Sequence, residues 1–292
     1  MYINRTSYEN KEKQSNKEVL QINKAGELEY LTFPALTETD LVKHLFTTRF
    51  GGVSKGIFAS MNMSYTRGDE KEAVDENYRR IAQILSCDLQ DIVLSHQTHT
   101  TNVREVTIAD AGKGITRERD YEDVDGLITN VPGLVLATFY ADCVPLYLVD
   151  PVQRAIGLSH SGWKGTVHRM GEATLKKMYE KYGTKPEDVL CAIGPSICQS
   201  CYEVSEDVIK QFKKAFPEKQ VQKRLFYASD KEKGKYQLNL WEANRQVFLD
   251  AGVLPEHISV TDICTCCNPD YLFSHRASHG KRGNLAAFLC LK

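Results

Sequence analysis

The sequence has no apolar run approaching the ~20 residues a membrane helix needs, so no span is expected. It also lacks a charge excess of either sign. Lys and Arg number 37 against 38 Asp and Glu, a formal net charge of −1, which leaves no basic surplus to hold nucleic acid or an anionic membrane. Neither partner is expected. The opening residues, MYINRTSYENKEKQSNK, lack the apolar core of a secretory leader, so a cytoplasmic location is the default expectation. Residues 1–20 read as a flexible polar tail. Internal repeats, low-complexity segments and long linkers are absent.

What is present is an ordinary globular composition, 42% hydrophobic and 26% charged over 292 residues, enough to bury a sizeable core. The nine cysteines are odd in number and widely spread, which argues for reduced thiols rather than a disulfide framework. Apolar residues at helical spacing predict a helix over 71–85, and further helices over 165–183, 205–216 and 241–252, with Gly183 as a C-cap. Short β-branched and aromatic runs predict strands near 41–50, where the strand ends in a Gly-Gly loop, and near 91–97, 101–108, 126–130, 134–141, 144–150, 154–160, 188–194, 236–240, 258–263 and 284–291. The Lys-rich stretch 214–235 reads as a solvated loop. Helices and strands interleave without regular crossover spacing, and several strand pairs are joined too tightly to be parallel. The expected architecture is one mixed α/β (α+β) domain over 21–292, with mixed sheets flanked by helices and a monomer by default.

One hairpin carries chemistry. In ADCVPLYLVDPVQRAIGLSHSGWKG, Asp150 and Pro151 open a turn. If Asp150 and Gln153 close it, Cys143 faces His160, with Cβ atoms roughly 4.5–5.5 Å apart. A one-residue slip would place Ser159 or Ser161 there instead. Such a pair can serve as an activated thiolate with its imidazole, or as part of a zinc site, which needs a third ligand. His96 and, three residues on and just past a strand end, His99 are on offer, but the spacing matches no local zinc signature and leaves both chemistries open.

The segments SHQTHT, DVDGLITN, ADCVPLYLVDP, IGLSHSGWKGT, AIGPSI with CYEV, NLWEANRQVFLDAGV and CTCCNPDYLFSHRA, in this order from about Thr47 to Leu291, resemble the laccase-domain, or multicopper polyphenol oxidase-like, family. Its members are described as purine nucleoside phosphorylases with adenosine deaminase activity, including peptidoglycan-editing factors. The resemblance implies a fold similar to the cytotoxic-necrotizing-factor deamidases and a zinc site of His99, Cys143 and His160. It also implies phosphorolysis of adenosine, inosine, guanosine or S-methyl-5′-thioadenosine, so that the partners are a purine nucleoside and phosphate. Zinc would supply an activated water for deamination at C6 of adenosine. Copper fits less well: eight histidines without an H-x-H pair cannot ligate a multicopper array. The alternatives are a metal-independent Cys-His hydrolase or amidase acting on cell-wall precursors, and a copper-dependent polyphenol oxidase. The segment Tyr65-Thr66-Arg67 departs from the family's usual pattern, as does GPSICQSCYEV.

Beside Cys143 and His160, Asp142 is the candidate for proton handling or for orienting a ligand His, although strand alternation points it away from Cys143. Arg49, beside Gly51 and Gly52, is the candidate phosphate clamp. Lys164 and Arg276 are further cationic candidates, and Asn62 is a substrate contact by resemblance alone. Trp163 is expected to pack a core. Cys264, Cys266 and Cys267 resemble half a zinc knuckle, but no second CxxC-type pair is expected to accompany them, and they are read as buried thiols.

Overall fold

A computed structural model describes residues 3–6, 18–230 and 232–292. Two six-stranded mixed sheets form its centre. One runs Gln21–Ala25, Leu28–Thr32, Val42–Thr47, Leu285–Leu291, Val135–Tyr140, Ile92–Leu94. The other runs Ile258–Val260, Leu190–Ile193, Val144–Asp150, Ala155–Ser161, Gly126–Thr129, Val103–Glu105. A separate three-stranded sheet, Glu203–Ser205, Lys235–Leu238 and Phe226–Ala228, packs on the core of the second sheet through Val204 and Leu238.

Period-2 alternation sorts the side chains of both large sheets onto two buried faces, which explains runs that are apolar without interruption. In Leu285–Leu291, the odd-numbered residues join Phe46, Leu136, Tyr147, Val149 and Leu158 in a core between the sheets. Ala286, Phe288 and Cys290 instead meet Val74, Tyr78, Ile81 and Leu85 of helix Lys71–Leu85. On the second sheet, Val144, Leu146 and Leu148 face Met170, Leu175 and Met178 of helix Met170–Tyr182 and Val247 and Phe248 of helix Leu240–Asp250. The result is a four-layer α/β/β/α arrangement, as the expected mixed single domain requires.

The helix predicted over 71–85 is Lys71–Leu85. The one predicted over 165–183 breaks into Trp163–Val167 and Met170–Tyr182, because Arg169 takes a left-handed φ of 61° and pairs with Glu172 and Asp250. The Lys-rich stretch is not one long loop. It contains helix Lys219–Leu225, whose Val221 and Leu225 reach the core, and strand Phe226–Ala228. Residues 7–17 of the predicted tail lie outside the described residues. Residues 3–6 are docked: Arg5 pairs with Asp262 at 2.7 Å, and Asn268 brackets the backbone of Asn4. Polar composition cannot reveal such long-range pairing.

His44, buried between Phe33 and Tyr147, accepts a 2.8 Å hydrogen bond from the Phe33 N–H. Burial lowers its pKa to about 4 from the usual 6.5. The unfolded chain therefore binds more protons than the folded one between these values. The stability that neutral His44 contributes is complete above pH 6.5 and is lost as the pH falls through 4. Between pH 7 and pH 5 this residue should remove about 2 kcal/mol of stability, and His44→Gln should flatten that part of the slope. Urea unfolding of both chains at the two pH values measures it; parallel profiles would contradict the assignment.

Candidate metal centre and active-site cleft

His99, Cys143 and His160 come from three places where the chain leaves or joins the two large sheets. His99 follows strand Ile92–Leu94, Cys143 lies in the crossing from Val135–Tyr140 to Val144–Asp150, and His160 is near the end of Ala155–Ser161. Their ligand atoms lie within 4.8 Å of one another. The Cys143 Sγ is 3.9 Å from His99 Nε2, and the two imidazole rings meet edge to face at 4.9 Å.

The hairpin register differs from the one read from sequence. The turn takes in Pro151 to Arg154, so Asp150 pairs with Ala155 and His160 pairs with Pro145. The shift is two residues, and a two-residue shift preserves the face. Cys143 and His160 are therefore diagonal rather than direct neighbours. The position beside Cys143 goes to Gly162, where a Cβ would meet His99 Cδ2 at 2.9 Å and Cys143 Sγ at 3.1 Å. The site needs that space.

Asp125 organises the three. Its Oδ1 meets His160 Nδ1 at 2.8 Å and accepts the His99 N–H at 3.1 Å. Its Oδ2 accepts the N–H groups of Thr98 and Thr100 and the Thr100 hydroxyl, all within 3.0 Å. Burial alone would raise this carboxyl, but the His160 bond and charge, with the backbone donors, hold it down at about 2. Burial likewise opposes ionisation of Cys143. The attraction of His160, with hydrogen bonds from both histidines, overcomes it and brings the thiol down to about 6. The reciprocal attractions of Cys143 and Asp125 outweigh burial at His160 and raise it to about 9. Each of the two groups thus favours the charged form of the other.

Asp142 stands elsewhere in this network. With φ at 84° it turns the chain just before Cys143, and its carboxylate accepts from the Thr265 hydroxyl and the Arg276 N–H, both at 2.7 Å. It anchors the turn, while the His-orienting contact belongs to Asp125. The sequence signal for Asp125 was its place in DVDGLITN.

The site opens into a cleft of about 570 Å³ lined by Tyr65, Arg67, Arg119, Phe139, Arg282 and Asn284 among others. A larger, more open hollow of about 710 Å³ beneath residues 114–122 shares His96 but touches none of the three ligand candidates. None of the candidate substrate residues Arg49, Asn62, Lys164 and Arg276 lines the cleft. Arg49 donates to the carbonyls of Ala59 and Pro269. Gly51 and Gly52 serve close packing, since a Cβ on Gly52 would lie 2.0 Å from the Ser60 carbonyl oxygen, and the Gly52 N–H is taken by the Ser60 hydroxyl. Asn62 is buried and holds Ser64 and Asn284, which do line the cleft. Lys164 lies over Trp163, which packs against the helix-side core as expected. Arg276 binds the carbonyls of Cys201 and Glu203.

The cations of the cleft are instead Arg67, Lys71, Arg119 and Arg282, brought together from separate segments. Burial and the nearby Arg67 push Arg282 down to about 10, and its Nε is buried without a hydrogen-bond partner among the described residues. Two repelling guanidiniums at a cleft wall suit an anionic ligand.

Residues 43–292 match the family described as multi-copper polyphenol oxidoreductase laccase. The chain belongs to this family. Within this enzyme family it is 40% identical over 251 residues to purine nucleoside phosphorylase YlmD of Bacillus subtilis strain 168, covering 85% of this chain and 87% of that one. It is 34% identical to adenosine deaminase RL5 of an unknown prokaryotic organism, covering 86% and 93%. The crystal structure of the Bacillus licheniformis hypothetical protein YfiH superposes with a TM-score of 0.86 at 34% identity, over 93% of this chain and 99% of that one. Among the described residues, the other group able to hold a metal contains four cysteines and no histidine.

Proposed function

We propose that this laccase-like chain is a zinc-dependent purine nucleoside phosphorylase with adenosine deaminase activity, zinc being held by His99, Cys143 and His160. The convergence of those three ligand atoms at the floor of a cationic, aromatic cleft carries the reading. The donor set fits: a thiolate and two imidazoles suit zinc, and three protein ligands leave a position open. Asp125 occupies His160 Nδ1, which leaves Nε2 to ligate and sets the tautomer. When bound, zinc would act as a Lewis acid and lower the pKa of a water.

The chain's own residues supply the rest. Arg67 and Arg282 hold phosphate and balance its charge. Tyr65 and Phe139 offer aromatic surface for a purine. The cleft volume, about 570 Å³, falls within the usual range for small-molecule sites. Activity with adenosine is assayed with and without phosphate, alongside metal content. Adenine release dependent on phosphate, inosine formation and about one zinc per chain at this site are expected; absence of nucleoside turnover in metal-replete protein would overturn the reading. Arg282→Met should raise the KM for phosphate roughly 10- to 100-fold and leave inosine formation without phosphate little changed, since one charge-assisted contact contributes about 1.5–3 kcal/mol.

A second reading has one observation in its favour. The thiol of Cys143 at about 6 beside His160 is a competent nucleophile without metal, as a Cys-His hydrolase or amidase requires. Full turnover after complete metal removal would favour it.

A further inference from the structure

The second cluster of metal-competent side chains is unconnected with nucleoside chemistry. Cys198-Gln-Ser-Cys201 and Cys264-Thr-Cys-Cys267 are two CxxC pairs, far apart in sequence. Reading Cys264, Cys266 and Cys267 as buried thiols with no second pair beside them missed this. The fold joins the pairs because strands Leu190–Ile193 and Ile258–Val260 are parallel neighbours, so the loops that follow them leave the sheet side by side. Ser196 bridges to Cys264, and the Thr265 N–H bonds the Ser196 carbonyl at 3.1 Å.

The ligand sulfurs of Cys198, Cys201, Cys264 and Cys267 all lie within 4.8 Å of one another. Cys267 Sγ is 3.4 Å from that of Cys201 and 3.8 Å from that of Cys198. Four thiolates about 2.3 Å from a tetrahedral ion lie roughly 3.8 Å apart, so these separations match a mononuclear thiolate site. They are far longer than a sulfur–sulfur bond of about 2.05 Å, and Cys267 stands close to two sulfurs rather than one partner. The backbone is also arranged for thiolate charge. Cys264 Sγ accepts the N–H of Cys198 at 3.2 Å and that of Cys267 at 3.4 Å, the latter from within its own CxxC turn. Cys198 and Cys264 are buried, and Cys201 and Cys267 are half-buried, so the site has a closed inner side.

The geometry points to a structural tetrathiolate zinc site formed by Cys198, Cys201, Cys264 and Cys267, distinct from the His99, Cys143 and His160 centre. All four coordination positions are protein sulfurs, which is the closed form of a structural rather than a catalytic zinc. Its place in the fold gives it work to do. The Thr265 hydroxyl, between two of the ligands, holds the Asp142 carboxylate, and the Ile197 N–H bonds the Asp142 carbonyl at 3.0 Å. Arg276, whose N–H also holds Asp142, grips the carbonyl of Cys201. The clamp therefore braces the left-handed turn that presents Cys143.

The test isolates this site from the other. A His99→Ala/His160→Ala variant, purified under reducing conditions with zinc in the growth medium, should retain one zinc per chain. Its X-ray absorption should show sulfur alone around the metal, at about 2.3 Å. Adding Cys267→Ala should abolish that zinc and lower Tm by roughly 10 °C. Should that variant fail to fold, stripping the His99→Ala/His160→Ala protein with a chelator and melting it before and after zinc return gives the same comparison. No zinc in the reduced double-histidine variant, iron in its place, or a Cys201–Cys267 disulfide in its mass spectrum would overturn the proposal. Loss of zinc from the histidine site alone bears only on the catalytic reading.

Discussion

His99→Ala should lower both nucleoside activities roughly 10³-fold and release the zinc of the histidine site, because a Lewis acid contributes several kcal/mol to the barrier and each 1.36 kcal/mol is tenfold. The fold should survive. His99 is the exposed member of the three, lies in a loop and donates to Asp125 through its backbone, which alanine retains. This substitution separates the two readings of the site better than removal of Cys143, which both require. In a metal-independent thiol enzyme, His160 and Asp125 would still support the Cys143 thiolate, and loss of His99 would cost only one of its hydrogen bonds. Zinc content and kcat/KM for phosphorolysis and deamination, measured on the same preparation, check the prediction. Retention of more than a tenth of wild-type activity would exclude His99 as a catalytic metal ligand.

Asp125→Asn should weaken zinc binding by roughly 10- to 100-fold, the usual effect of losing a carboxylate behind a ligating histidine. It should also destabilise the fold by about 2–4 kcal/mol. The carboxylate is fully buried and accepts three backbone N–H groups and a hydroxyl in addition to its contact with His160. An amide can accept through one oxygen only, and its NH2 would face donors, so buried N–H groups of the 98–100 loop lose their partner. Competition with a zinc chelator measures the first effect and urea unfolding the second. A variant with unchanged zinc affinity would show that Asp125 serves only to shape the loop. Asp142→Asn carries a different expectation: weakened anchoring of the turn at Thr265, with the His160 tautomer undisturbed.

Much of the scaffold was legible from local pattern. Helix Lys71–Leu85 follows from apolar spacing, and the left-handed Gly183 ends helix Met170–Tyr182 as read. The pairing of Cys143 with His160 on one face survived an incorrect turn, because an even register shift leaves strand parity unchanged. Arg49, placed at a substrate from its residue type and neighbouring glycines, and Asn62, placed there by resemblance, both hold backbone, since neither argument says where a guanidinium or amide points. The grouping of His99, Cys143 and His160 as candidate metal ligands came from family resemblance rather than spacing, as the three residues share no local motif.

The sequence alone determined most of the helices and strands, the alternation that gives each sheet two buried faces, and the presence of a Cys and a His on one side of a hairpin. Tertiary structure decided that His99 joins them, that Asp125 rather than Asp142 contacts His160, that Arg67 and Arg282 share a wall, and that two CxxC turns meet. The division has one physical cause. Helix and strand periodicity are set by dihedral preferences and hydrophobic burial within a few residues, whereas a site depends on which loop ends two parallel or crossing strands bring together.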